Sequence, residues 1–142
     1  MPVAYTIDQS RSIVLTRGWG VAVDRDLHAH VRSLAADSRF RPHFKQFGDL
    51  RGVVKADITR LGIRQLSDLN PFGAGAKRAV VVGSDVVYGM ARMYQVMRAD
   101  RGDELEVFRD ADLAFEWLGV PAADRGGLLA LLAQAPPIPV PE

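Results

Sequence analysis

The stretch KRAVVVGSDVVYGMARMYQVM, residues 77–97, decides the fold. Its first part has no polar residue between Ala79 and Val82 and is closed by Gly83. A β-branched run of that length reads as a strand covered on both faces, in the interior of a sheet. After Gly83 the period becomes helical. Ser84 or Asp85 serves as the N-cap, and Val86, Met90, Met93 and Met97 recur at the spacing of one helix face. A strand that passes straight into a helix is half of a crossover connection, the unit from which parallel sheets are built.

The same alternation continues in both directions. Upstream, DITRLGIRQLSDLN (57–70) carries Ile58, Leu61, Leu66 and Leu69 on one helical face and is stopped by Asn70-Pro71. HFKQFGDL (43–50) is a strand before it, and VDRDLHAHVRSLAAD (23–37) is a helix with Asp24 as N-cap, the stripe Leu27, Val31, Leu34 and Ala35, and an end near Asp37. VAYTID (3–8) and SIVLTR (12–17), separated by turn residues Gln9 and Ser10, form an antiparallel hairpin. Downstream, ELEVFRD (104–110) is apolar only on alternate residues, as an edge strand is, and DADLAFEWLG (110–119) is a helix capped by Asp110 and closed by Gly119. The order ββαβαβαβα gives a single α/β domain over residues 1–120, with a five-stranded mixed sheet and four helices. Residues 121–142 form a C-terminal tail, with a short helix within 124–134 and a proline-rich end, PPIPVPE, expected to be extended and mobile.

Composition excludes more than it selects. A chain of 142 residues with 48% apolar and 25% charged residues suits one soluble domain. The net charge of +1 supplies no field for a nucleic-acid partner. There is no cysteine, hence no disulfide, thiolate nucleophile or zinc–thiolate site, which fits a cytoplasmic setting. The N-terminal MPVAYTIDQSRS is polar too early for a signal peptide, and no apolar run reaches the ~20 residues of a membrane span.

Catalytic and cofactor motifs are mostly lacking. In NPFGAGAKR (70–78) the glycines follow a helix and lead into a strand, the reverse of a phosphate-binding loop. His28 and His30 stand two apart on a helix and point to different sides, so they share no metal; both are expected at the solvent-facing boundary. RFRPHFKQF (39–47) interleaves basic and aromatic residues, which reads as buried phenylalanines beside solvated charges more readily than as a single-strand binder. Ser84 lacks the glycine-flanked elbow of a nucleophile and is an N-cap serine. No cofactor or metal is expected. In an open α/β sheet, ligands lie beyond the carboxyl ends of the strands. The residues expected on that rim are Asp49 and Arg51, Ser84 and Asp85, Arg109 and Asp110, with Tyr88 one turn into the helix; of these, Asp49, Arg51, Ser84, Asp85 and Tyr88 are the candidate ligand or partner contacts. The helix at 85–98 has an apolar arc wider than one sheet face needs. Either neighbouring helices or LLALLA cover the surplus, or the helix forms an adaptable pocket or a homodimer contact through Val87, Ala91 and Tyr94, of which the dimer is the functional reading preferred; Tyr88, Arg92, Gln95 and Arg98 are left to water.

The run RAVVVGSDVVYGMARMYQVM, the later VFRDADLAFEWLG and the segment DSRFRPHFKQFGDLRGV, with an Asp-Leu-Arg turn, resemble the SpoIIAA-like group of small bacterial proteins, related to STAS and SEC14-like domains. The resemblance covers residues 3–119 and implies the fold. It also implies two functional classes: regulators that bind a partner kinase, and carriers of apolar ligands. The regulators carry a phosphorylatable Ser or Thr at the start of the helix after the third strand; here GDLRGVVKADIT has no serine, and Thr59 falls inside the expected helix. The expected function is a non-enzymatic STAS-like binding or regulatory module acting through protein contacts. The alternative is a carrier or sensor of a small apolar, lipid-like ligand, and an unrecognised enzyme stands third.

Overall fold

The computed structural model describes residues 2–139. The strands are β1 (Val3–Asp8), β2 (Ile13–Val23), β3 (Lys45–Asp57), β4 (Lys77–Val82) and β5 (Glu104–Phe108). The helices are α1 (Asp24–Ala36), α2 (Arg60–Asp68), α3 (Asp85–Arg98), α4 (Ala111–Leu118) and α5 (Ala122–Gln134). The strands lie in chain order, β1-β2-β3-β4-β5, in one sheet. β1 is antiparallel to β2 and the remaining pairs are parallel. β4 is therefore interior and β5 an edge, as the apolar run and the alternating run require. The helix count is five rather than four, because the tail forms a full helix.

Each parallel pair is joined by a helix, and stepping repeatedly in one direction with right-handed crossovers puts all of those helices on one side of the sheet. α1, α2 and α3 accordingly form one layer. Alternation along β4 sends Ala79 and Val81 to the opposite face, where they meet Phe47, Phe115, Leu118, Leu128 and Leu132 of β3, α4 and α5 in a close-packed core. The Phe47 and Phe115 rings stack there with centroids 4.0 Å apart.

Local signals set most helix ends. Ser84 Oγ accepts from the Val87 N–H at 3.2 Å, Asp110 Oδ1 accepts from the Leu113 N–H at 3.1 Å, and Gly119 closes α4 in the left-handed region at φ 76°. Asp24 departs from this pattern. It is the first residue of α1, whose N-cap is Val23, and its carboxylate instead accepts from Thr59 N–H at 3.1 Å and Thr59 Oγ1 at 2.6 Å. Thr59 is the N-cap of α2 rather than a residue within it, and its Oγ1 accepts from Gly62 N–H at 2.9 Å. Gly62 makes room for this contact: a Cβ there would stand 2.1 Å from the Asp24 carboxylate, which would have to swing away.

Two further expectations change. β3 does not turn at Asp49-Leu50-Arg51. β2 and β3 run on together as a parallel ribbon to the Val23–Asp57 pair, past the end of β4, whose last partner is Leu50. The polar residues of GVVKAD concealed that extension: Val53 is buried and Ala56 packs against the same cluster, while Gly52, Val54, Lys55 and Asp57 are exposed. The proline-rich end is extended but not free. Ala4 and Pro137 form an antiparallel bridge, and Ile138 N–H donates to Val3 O at 2.7 Å. The remaining positions of PPIPVPE after Pro139 lie outside the described residues.

Candidate ligand-binding cavity

The α1–α3 face of the sheet is packed quite unlike the α4–α5 face. The strand residues pointing to it include Thr16, Gln46, Gly48, Leu50, Arg78 and Val80, and between them and the helices lies a cavity of about 140 Å³. Its cause is at mid-sheet. Gly48 pairs with Thr16 on one side and Val80 on the other, and contributes no side chain. A Cβ built on Gly48 would find only Ala79 O, at 3.7 Å, so the space above it is open. A glycine inside a strand commonly marks such a close approach. Leu27 and Val31 of α1, Ile63 and Leu66 of α2, and Val87, Met90 and Ala91 of α3 wall the space.

One end of the cavity is polar, and its side chains are linked by hydrogen bonds. The β3–β4 register sets Gln46 beside Arg78, whose Nε donates to Gln46 Oε1 at 3.1 Å. A guanidinium only donates, so the Gln46 amide is fixed with its Nε2 toward Thr16 Oγ1, at 3.2 Å. Thr16 Oγ1 is then 3.1 Å from His30 Nε2. Arg78 Nη1 donates to Tyr94 Oη at 3.0 Å, to Asn70 Oδ1 at 2.9 Å and to Asp103 Oδ2 at 3.3 Å. The Phe72 ring lies under the guanidinium, its centroid 4.5 Å from Cζ. Burial, and after it the charge of Arg78, lowers the His30 pKa from 6.5 to about 4, so the imidazole is neutral at pH 7.

This arrangement corrects the expected placement of the histidines. His30 is buried at the polar end, and only His28 stays at the boundary, its Nε2 2.9 Å from Gly62 O. The expected orientation of α3 is corrected as well. Val87 (7% exposed) and Tyr94 (9%) point into the chain's own interior, and Ala91 lines the cavity beside them, so the expected dimer contact is buried in the monomer. Arg98, expected in water, is buried. Its Nε and Nη2 clasp Asp103 at 2.8 and 2.7 Å, and its Nη1 donates to Ser67 O at 3.0 Å. Val86, Met93 and Val96 face outward, at 61%, 38% and 67% exposure. An apolar arc that wide leaves the helix rotation undetermined; the buried Arg98–Asp103 pair sets it.

The rim residues stand apart from the cavity. Asp49 lies on the opposite sheet face from Gly48. Although burial works to raise its carboxyl pKa, hydrogen bonds and charge from Arg51 outweigh that and hold it below the usual range. Arg51 Nη2 meets Asp49 Oδ2 at 2.8 Å. Asp85 pairs with Arg109 at 2.6 Å, Arg109 lies over the Tyr88 ring with Cζ 4.8 Å from its centroid, and Ser84 is occupied as a cap. The cavity residues Thr16, Gln46, Gly48 and Arg78 were missed, although the signal was present: polar residues and a glycine recur at period two in strands otherwise fit for burial. Among the described residues no group of three or more His, Asp or Glu side chains is placed to hold a metal, and no helix is long and apolar enough to cross a membrane.

A scan against protein-family models finds no match, and neither does a search of curated proteins. Among solved structures the chain is similar to an uncharacterised protein of the DUF3478 family, with a SpoIIAA-like fold, from Shewanella loihica. The two share 16% identity over 83% of this chain and 95% of that one, with a TM-score of 0.55. This chain has the SpoIIAA-like fold.

Proposed function

We propose that this domain is a non-catalytic binding module that holds a small ligand with an apolar body in the cavity between the sheet and α1–α3, as a carrier or sensor. The observation that carries this reading is the open space above Gly48, about 140 Å³ in volume, on the sheet face opposite the Phe47–Phe115 core. An apolar cavity of about 150 Å³ takes up benzene, so the size suits a body of that class. An enzymatic reading gains little from the Thr16–His30 pair. An imidazole with a pKa of about 4 is a weak base at neutral pH. The test is a thermal shift with toluene as a neutral probe. Ligand at about ten times Kd adds about 1.4 kcal/mol to stability and raises the Tm by several degrees. An unchanged Tm near the solubility limit of toluene contradicts the reading.

A second reading, contact with a protein partner or a second copy, rests on the outward row Val86, Met93 and Val96 of α3. It does not include the kinase switch of the regulators. Thr59 is at the corresponding helix start, but its hydroxyl donates to the Asp24 carboxylate, and a phosphate there would meet that negative charge.

A further inference from the structure

The polar end of the cavity is short of negative charge. Two buried guanidinium groups, Arg78 and Arg98, share one buried carboxylate, Asp103. Asp103 gives both of its oxygens to Arg98, at 2.7 and 2.8 Å, and only a longer third contact of 3.3 Å to Arg78. Every nitrogen of Arg98 is thereby engaged, with Ser67 O on the third. Arg78 is not. Its Nε and Nη1 are engaged, but its Nη2 has no hydrogen-bond partner among the described residues. No fully buried side-chain nitrogen or oxygen among them lacks a partner, so Nη2 reaches accessible space; Arg78 is 6% exposed, and the space it lines is the cavity. The Asn70 and Gln46 contacts are neutral acceptors and leave the charge in place. His30 is held neutral beside it, partly by that same charge. A buried cation lacking a full counter-charge favours an acceptor that brings one.

We propose that the ligand of this cavity is a small organic monoanion, a short carboxylate of about six to eight non-hydrogen atoms in all, its carboxylate accepting from Arg78 Nη2 and its apolar body lying over Gly48. This rests on the cavity being a ligand site and adds the chemical class. The apolar body is set by Val80, Val87 and Met90, the charge by Arg78, and the size by the volume of about 140 Å³.

The test titrates methyl-labelled protein with three probes: 3-methylbutanoate, its neutral isostere 3-methylbutanamide, and toluene. The carboxylate should bind at least about tenfold more tightly than the amide, as a charge-assisted hydrogen bond in a dry site gives, and should shift the methyls of Val80 and Leu105 near Arg78. Equal affinity for carboxylate and amide, or carboxylate shifts confined to residues outside the cavity, overturns the anion assignment. Toluene binding in the cavity without the carboxylate overturns the assignment alone and leaves the cavity reading standing, whereas no binding by any probe overturns both. Arg78→Lys retains a positive charge but loses the guanidinium's forked donors, Nη2 among them, and should reduce the preference for carboxylate over amide. Where that variant does not fold, the wild-type comparison decides.

Discussion

Arg78 and Gln46 are neighbours across the β3–β4 register, and Arg78 Nε donates to Gln46 Oε1 at 3.1 Å. This bond helps hold an arginine on an interior strand inside the protein, with the Phe72 ring centroid 4.5 Å from its Cζ. The amide relays the constraint to Thr16 and His30, so one hydrogen-bonded line crosses the cavity end from β4 to α1.

Acid should weaken the protein through His30. The imidazole pKa is about 4 when folded and 6.5 unfolded, so between those pH values the unfolded chain binds more protons. The His30 contribution is complete above about pH 6.5, is lost as pH falls toward 4, and is constant below that. The shift corresponds to about 3 kcal/mol. Urea unfolding across this range should show the slope in the wild type and a flatter one in His30→Gln, and equal slopes in the two proteins refute it.

The α1–α2 corner should behave as one coupled unit. Thr59→Ala removes the cap of α2 and should cost about 1 kcal/mol. Gly62→Ala drives the Asp24 carboxylate off Thr59 and should cost a similar amount. Because both break the same contacts, the double variant should cost less than the sum. Strict additivity in denaturant melts would separate them.

Truncation after Ala135 should lower stability. It removes the Ile138 N–H bond to Val3 and uncovers part of the Val3–Ala22 cluster, which Ile138 packs against. A loss of about 1–2 kcal/mol follows from one backbone bond and partial uncovering of an isoleucine's neighbours. A truncated chain with the Tm of the full one shows that the contact contributes nothing.

The fold was legible wherever a local rule had no competitor. The apolar 79–82 run, the period change at Gly83 and the cap at Asp110 each specify one outcome, and of the two caps offered for α3, Ser84 and Asp85, the structure uses Ser84. The cavity was not, because it arises from what Gly48 lacks and from which strand residues share a face, and both depend on register between segments distant in sequence. The α3 rotation was misread for a related reason. Arg98 counts as a surface residue until Asp103, brought back by the turn after the helix, supplies its buried counter-charge. Asp24 was read as a cap of its own helix, while its partner Thr59 lies on the next one.

The most direct test of the central claim fills the cavity. Gly48 is not in the left-handed region, and a Cβ there makes only an ordinary contact, so Gly48→Val should fold with equal or greater stability while occupying the space above the strand. In methyl spectra titrated with toluene, the wild type should show saturable shifts at Val80, Val87 and Met90, and Gly48→Val should show none while its remaining spectrum stays native. The same shifts in both proteins, or none in the wild type, would contradict a ligand site above Gly48.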